Sequence, residues 1–188
     1  LTPFFYISGI PAIFLILFHD VVFKIFINEA YYGSENIVII LSVYYLFLFF
    51  SKISGTQLVY LKKTWLAGNI FLVNVFLNFI FGIPLILSMG IEGAALSTLA
   101  SSIISIIMQY YFANKYVHFK YEFKKVLSVS LFILIISSYQ FLIINSYIDI
   151  NIYFEISVST ILIIMYFIIG YKFNIYDQKT LINFFNYK

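Results

Sequence analysis

Long apolar segments separated by short polar connections make up most of this sequence. Six of them can cross about 30 Å of hydrocarbon, which takes ~20 helical residues, and they cover residues 4–23, 37–61, 65–89, 93–116, 126–148 and 154–173. The runs are continuous, whereas the strands of a membrane barrel alternate between apolar and polar residues over about ten positions. The pattern therefore predicts an all-α protein, a polytopic transmembrane helix bundle of six spans.

Two prolines lie inside these segments. Pro11 follows Ser8 and Gly9 in the first span, and Pro84 lies in the third. A proline inside a transmembrane helix frees backbone groups that must be satisfied by packing or by a cavity. We expect both spans to be kinked at these residues.

The third and fourth segments form a hairpin, residues 69–108, with unusually placed small and polar residues. Its first helix carries three such residues on one face at four-residue spacing: Asn74, Asn78 and Gly82. Its second helix carries a serine stripe that allows close approach of a neighbouring backbone: Ser97, Ser101 and Ser105. Gly90 and Gly93 bracket the turn, where positive φ or tight packing favours glycine.

A resemblance to a known family rests on this hairpin. The order is Asn74 and Asn78, an apolar run containing Pro84, and then Gly90-x-x-Gly93-Ala94-Ala95-x-x-Thr98. It resembles the end of the second lobe in polysaccharide flippases of the oligosaccharidyl-lipid export type, which share a superfamily with multidrug-and-toxin extrusion transporters and lipid II flippases. The resemblance covers roughly residues 5–115, including the connections 26–34 and 60–65.

The resemblance implies a domain organisation. Residues 1–118 would be the last four spans of a carboxyl-terminal lobe, resembling the polysaccharide-biosynthesis C-terminal domain. Residues 119–188 would form a basic cytoplasmic loop, two further spans and a cytoplasmic tail. Because the sequence starts at Leu1 almost directly in an apolar segment, we expect an amino-terminal lobe of the same chain to be missing from it.

Composition and charge set the class and the orientation. With 63% hydrophobic and 10% charged residues, the chain differs from a soluble domain, which carries about 25% charged residues. Lysines concentrate in the connections after spans two and four and in the tail: Lys62, Lys63, Lys115, Lys120, Lys124, Lys125, Lys172, Lys179 and Lys188. Lysine-rich short loops are typical of the cytoplasmic side. We therefore expect a multi-pass protein of the bacterial cytoplasmic membrane with a cytoplasmic carboxyl terminus and no nucleic-acid partner.

The sequence contains no recognisable catalytic or metal-binding motif. It has no Gly-rich phosphate loop, no His, Asp and Glu cluster at metal-ligand spacing, no Ser elbow and no cysteine. His19 and His118 are expected at opposite membrane interfaces, and Asp20 and Lys24 as a surface pair worth about 0.3 to 0.5 kcal/mol. The sequence thus predicts no catalytic residues, metal or cofactor, and the resemblance implies a transporter, not an enzyme.

The residues expected to face a transport lumen are Lys52, Tyr45, Thr56, Asn74 and Asn78. Lys52 precedes Lys62 by ~15 Å along a helix, near the bilayer midplane, and ionisable residues at such depth normally face a cavity or a partner. Tyr45, Gly55 and Thr56 share its helical face. The alternative for Lys52 is a structural role in contact with a missing span. The alternative for Asn74 and Asn78 is hydrogen bonding to neighbouring helices at about 0.6 kcal/mol each, and for these asparagines the bonding role is favoured.

By resemblance, the cargo is a polyprenyl-pyrophosphate-linked oligosaccharide for surface polysaccharide such as O-antigen, capsule or exopolysaccharide. It would pass between membrane leaflets by alternating access of two lobes, with H⁺ or Na⁺ as coupling cation. A sugar and a pyrophosphate need a polar, preferably cationic, path through hydrocarbon. A multidrug/cation antiporter of the same superfamily, part of a polysaccharide polymerase or glycosyltransferase, and a purely structural membrane subunit are the alternatives.

Overall fold

The computed structural model describes residues 2–28, 31, 33–116, 122–145 and 152–173. This part of the chain is all-helical and contains no strand. Its helices are α1 Thr2–Leu17, α2 His19–Phe26, α3 Glu35–Tyr60, α4 Thr64–Met89, α5 Ile91–Tyr116, α6 Phe123–Ile144 and α7 Ile152–Lys172.

The predicted helix bundle is confirmed, with one change in the first span. Helices α3 to α7 are each long and apolar enough to cross a membrane, while α1 and α2 form a pair bent by 75°. The bend falls at Phe18, which separates the end of α1 at Leu17 from the start of α2 at His19. Helices α1 and α4 continue through Pro11 and Pro84, and the kinks expected at these two prolines stay predictions. If the bent pair of α1 and α2 counts as one span, the described residues contain six spans.

The helices pack as a chain of neighbours. Helix α4 packs mainly against α5, α5 against α3, α3 against α1, and α1 against α6. The main apolar core lies between α1, α3 and α6 and includes Ile16, Val43 and Ile133. Since α6 packs directly on α1 and α3, the predicted boundary at residue 118 is crossed by this core, and the division into two parts stays a prediction.

A pair of tyrosines joins α7 to α1. The Tyr6 hydroxyl donates to the Tyr166 carbonyl (3.0 Å), and the Tyr166 hydroxyl donates to the Tyr6 carbonyl (2.7 Å). Their rings are stacked with centroids 4.4 Å apart. Gly9 makes room for this contact, because a Cβ there would overlap the Tyr166 hydroxyl.

Interhelical contacts show which helix ends lie together. Asn36, at the start of α3, donates to Glu92 at the start of α5 (2.9 Å) and to Asn145 just after α6 (3.5 Å). At the opposite end, Lys63 lies over the Tyr116 ring. The described lysines of the predicted cytoplasmic loops therefore share one end of the bundle. His118, Lys120 and the predicted cytoplasmic tail after residue 173 lie outside the described residues.

Cysteine labelling tests which end faces the cytoplasm. In a background without other cysteines, Ser34→Cys should react with an impermeant maleimide in intact cells, whereas Lys62→Cys should react only after permeabilisation. The reason is the lysine asymmetry, which favours retention of the Lys62 end inside. Labelling of Lys62→Cys in intact cells would reverse the predicted orientation.

A candidate polar cavity between three spans

The turn of the α4–α5 hairpin explains why the two helices meet so closely. Gly90 ends α4 with φ +62°, a left-handed conformation that glycine adopts without strain. One turn into α5, Gly93 touches the α4 backbone, and a Cβ there would overlap the Leu85 carbonyl. The positive φ and the tight packing expected for these two glycines are both present. Ala94 and Ala95 follow in the same first turn of α5.

Further along the hairpin, polar side chains replace backbone contact. Asn78 Nδ2 donates to Thr98 Oγ1 (3.1 Å) and to Ser101 Oγ (3.4 Å) across the interface. Both acceptor hydroxyls give their own protons to α5 carbonyls, so their oxygen lone pairs are available to the Asn78 amide. Asn78 therefore bonds the neighbouring helix, which is the structural alternative that the sequence favours for it.

Beyond Asn78, a cavity opens between α3, α4 and α5. Its volume is about 540 Å³, and a second cavity of about 370 Å³ shares Tyr44, Asn74 and Ser102 with it and reaches Asn78. Eight polar side chains line the larger cavity: Tyr44, Ser51, Lys52, Thr56, Asn74, Ser102, Ser105 and Gln109. So many polar groups inside a bundle this apolar mark the cavity as the candidate functional site.

Several polar atoms of the cavity wall have unused bonding capacity. Asn74 Oδ1 and Ser105 Oγ are buried and have no hydrogen-bond partner within the described residues. Ser51 and Gln109 are paired with each other, the Ser51 hydroxyl donating to Gln109 Oε1 at 2.9 Å. Because a buried polar atom without a partner costs about 1–3 kcal/mol, Asn74 and Ser105 favour a bound polar molecule at this wall.

Lys52 supplies the positive charge of the cavity. Its side chain is exposed, and no carboxylate of the described residues lies within 4 Å of its ammonium group. Thr56 does not neutralise it, because the Thr56 hydroxyl donates to the Lys52 backbone carbonyl at 2.8 Å. A lysine without a partner beside neutral polar groups attracts anions.

Lys52 lies in the half of α3 that is nearer Lys62. The middle of α3 falls between Phe47 and Leu48, so Lys52 lies ~7 Å from it, toward the Lys62 end, at ~1.5 Å per residue. With the middle of α3 at the bilayer midplane, the charge lies in the half of the membrane nearer the lysine-rich loops. The expected position of Lys52 near the bilayer midplane stays a prediction, because the offset along α3 gives a position in the helix and not a depth in the membrane.

Tyr45 lies apart from the other four candidates. Lys52, Thr56, Asn74 and Asn78 line the two joined cavities, whereas Tyr45 lines a separate groove between α1 and α3. Its neighbour Tyr44 takes the position in the cavity. Residue spacing indicates which side chains share a face of α3, but it does not indicate which neighbouring helix covers each part of that face.

Sequence reasoning missed Gln109, although a signal for it was present. Gln109 continues the four-residue repeat of Ser97, Ser101 and Ser105 along α5, and its amide reaches Ser51 across the cavity. The stripe was interpreted only as a surface for close helix contact. The stripe forms a close helix contact near Gly82, where Ser97 is adjacent. From Ser105 onward, however, the same stripe lines the cavity.

Comparisons with known proteins give two relatives. The chain is 28% identical over 118 residues to the "Probable low-salt glycan biosynthesis flippase Agl15" of Haloferax volcanii, a match that covers 62% of this chain and 25% of the relative. It is 30% identical over 176 residues to the "Uncharacterized membrane protein MJ1068" of Methanocaldococcus jannaschii, covering 92% of this chain and 34% of the relative. No family model and no solved structure matches the chain.

The helices and the relatives agree on the class. This is a multi-pass membrane protein. It spans only about a quarter to a third of the length of the two relatives, and the similarity to a flippase favours transport over enzymatic chemistry.

Proposed function

We propose that this chain is part of a membrane flippase that moves a polyprenyl-pyrophosphate-linked oligosaccharide between the leaflets of the cell membrane. The similarity to a relative named as a probable glycan biosynthesis flippase supports the class of transporter. The cavity between α3, α4 and α5 supports the type of cargo. It would form one wall of the path, and the opposing wall would come from the rest of the full-length protein.

The unpaired ammonium group of Lys52 in this cavity is the observation that carries the proposal. A pyrophosphate is strongly hydrated, and its transfer into hydrocarbon without compensation is prohibitive. A fixed cation in a polar cavity replaces part of that hydration, and the low dielectric of the bundle strengthens the attraction. The position of Lys52 toward the lysine-rich end suits capture of an anionic headgroup from the inner leaflet.

The neutral polar groups suit the sugar part of such a cargo. Sugar hydroxyls both donate and accept hydrogen bonds, and the wall offers amides and hydroxyls on two facing helices, among them Asn74 on α4 and Ser105 on α5. No acidic side chain is among the described residues that line the cavity. That composition favours an anionic cargo over the cationic drugs of an antiporter.

A bulky residue at Gly55 tests whether the cavity is the path. Gly55 lines it, and a Cβ there would meet Gln109 Oε1 at 3.5 Å, an ordinary contact. We therefore expect Gly55→Ala to export normally in the full-length protein, and Gly55→Trp to fill the cavity and reduce export about tenfold or more. The measurement is lipid-linked oligosaccharide appearing in the outer leaflet per unit of protein in the membrane.

The matched control is Gly68→Trp on α4, where the added side chain meets no atom within 4 Å of its Cβ. It should export like the wild type. Normal export by Gly55→Trp at an equal membrane level would contradict the assignment of the path to this cavity.

A further inference from the structure

A second group of polar residues lies outside the cavity, where α2 and α3 begin. His19, Asp20 and Glu35 each have a ligand atom within 4.8 Å of those of the other two. The 75° bend at Phe18 brings the start of α2 to the start of α3. The sequence has no His, Asp and Glu cluster at metal-ligand spacing, and this group is not visible there because residues 19 and 35 are too far apart to form a local metal motif.

The hydrogen bonds of His19 determine which of its ring nitrogens carries a proton. Nδ1 lies 3.0 Å from the Ile16 carbonyl, and a carbonyl oxygen only accepts, so Nδ1 must be the donor. Nε2 faces Asp20 Oδ1 at 3.1 Å. In a neutral imidazole both of these atoms are acceptors, so their lone pairs repel unless a cation lies between them. That cation is either a second proton or a metal ion.

Glu35, the third residue of the group, distinguishes a proton from a metal ion. A proton between His19 and Asp20 needs no further ligand, and it supplies one positive charge beside two carboxylates, Asp20 and Glu35. A divalent cation with neutral His19 balances the charges of Asp20 and Glu35 together. Lys24 acts electrostatically on Asp20, as expected for a surface pair, but it makes no direct contact: no carboxylate of the described residues lies within 4 Å of the Lys24 ammonium. The direct partner of the Asp20 carboxylate is His19.

The distance between His19 and Asp20 also suits a metal ion. Two ligands bound to Zn²⁺ at ~2.0–2.1 Å in a tetrahedron lie ~3.3 Å apart, close to the observed 3.1 Å between Nε2 and Oδ1. Metal-bound histidines usually donate their other ring N–H to a carbonyl or carboxylate, as His19 does to Ile16. The His19 side chain is 3% exposed and that of Asp20 is 51% exposed, so the ligand set is anchored inside and open to solvent on one side.

We propose that His19, Asp20 and Glu35 form a binding site for a divalent metal ion of the Zn²⁺ type, with a fourth position open to solvent. The ion joins the start of α2 to the start of α3 and so holds the bend at Phe18. A nitrogen and two carboxylate oxygens favour Zn²⁺ over Mg²⁺, which prefers an all-oxygen octahedron.

The test is Zn²⁺ titration by calorimetry of the full-length protein in detergent, purified without a polyhistidine tag. The wild type should bind one Zn²⁺ more per chain than His19→Gln, and Asp20→Asn and Glu35→Gln should weaken that site about tenfold or more. Glu155→Gln, at the start of α7, is the matched control and should bind as the wild type does. Zn²⁺ should also raise the unfolding temperature of the wild type but not of Glu35→Gln.

Two outcomes would overturn the site. Equal Zn²⁺ binding by the wild type and all three ligand variants would place any bound metal elsewhere. An unfolding temperature that depends on pH but not on Zn²⁺ would mean that a proton alone lies between His19 and Asp20. Asp20→Asn and Glu35→Gln keep the side-chain shape at partly exposed positions, so they decide the matter even if His19→Gln, at a buried position, fails to fold.

Discussion

Lys52→Glu is expected to abolish export of lipid-linked oligosaccharide by the full-length protein. The substitution places a carboxylate where an anionic headgroup is proposed to pass, in a cavity whose described lining residues include no charged side chain besides Lys52. Lys52→Ala and Lys52→Gln should lower export more than about tenfold, in line with the 2–5 kcal/mol associated with loss of one partner of a desolvated charge pair. Lys52→Arg should retain much of the activity, because the charge remains, although its planar group has a different reach.

Membrane insertion should not fall in this series, since Lys52→Ala and Lys52→Gln make α3 more apolar, and Lys52→Arg and Lys52→Glu each keep one charge at that position. Export is therefore normalised to the amount of protein in the membrane. Lys62→Gln is the matched control, because Lys62 is an exposed lysine in the turn after α3 and lies outside the cavity. If Lys52→Ala exports at the wild-type rate, Lys52 is structural and the cavity loses its proposed anion-binding group.

Gly93→Ala is expected to destabilise the α4–α5 hairpin more than any other single methyl addition in it. The new Cβ would overlap the Leu85 carbonyl and lie 2.9 Å from the Ile86 nitrogen. These are backbone atoms, so the two helices must separate instead of a side chain rotating. Overpacking of this kind costs about 1–3 kcal/mol or more, and it outweighs the ~1 kcal/mol by which alanine exceeds glycine in helix propensity.

The comparison variant is Gly68→Ala, which adds the same methyl group to α4 at an exposed position with no atom within 4 Å. Its midpoint of thermal unfolding in detergent should equal or slightly exceed that of the wild type. The midpoint for Gly93→Ala should fall by several degrees. Equal midpoints for the two variants would show that the close contact at Leu85 does not hold the hairpin together.

The site was only partly accessible from the sequence, as residues of α3 show. Lys52 and Thr56 could be identified because a charge and a hydroxyl in an apolar run stand out. Tyr44 could not be distinguished from Tyr45, because both lie near that face and the choice depends on where α1 and α4 pack. Gln109 was overlooked since its partner Ser51 is on another helix, 58 residues earlier.

The sequence by itself determined the helices, their approximate ends and the tight turn. These depend on local properties: continuous apolar runs long enough to span hydrocarbon, and glycines at positions such as Gly90 where other residues are strained. The lysine asymmetry predicts the orientation in the same way, and labelling tests it.

Only the tertiary structure decided which faces meet. The cavity around Lys52, the interhelical bonds of Asn78 and the cluster of His19, Asp20 and Glu35 all join side chains from different helices. In a chain this apolar, nearly every helix face is hydrophobic, so hydropathy does not distinguish lipid-facing from protein-facing positions. Helix pairing is then set by small residues, by a few polar contacts and by the bend at Phe18, whose joint effect appears only in the folded bundle.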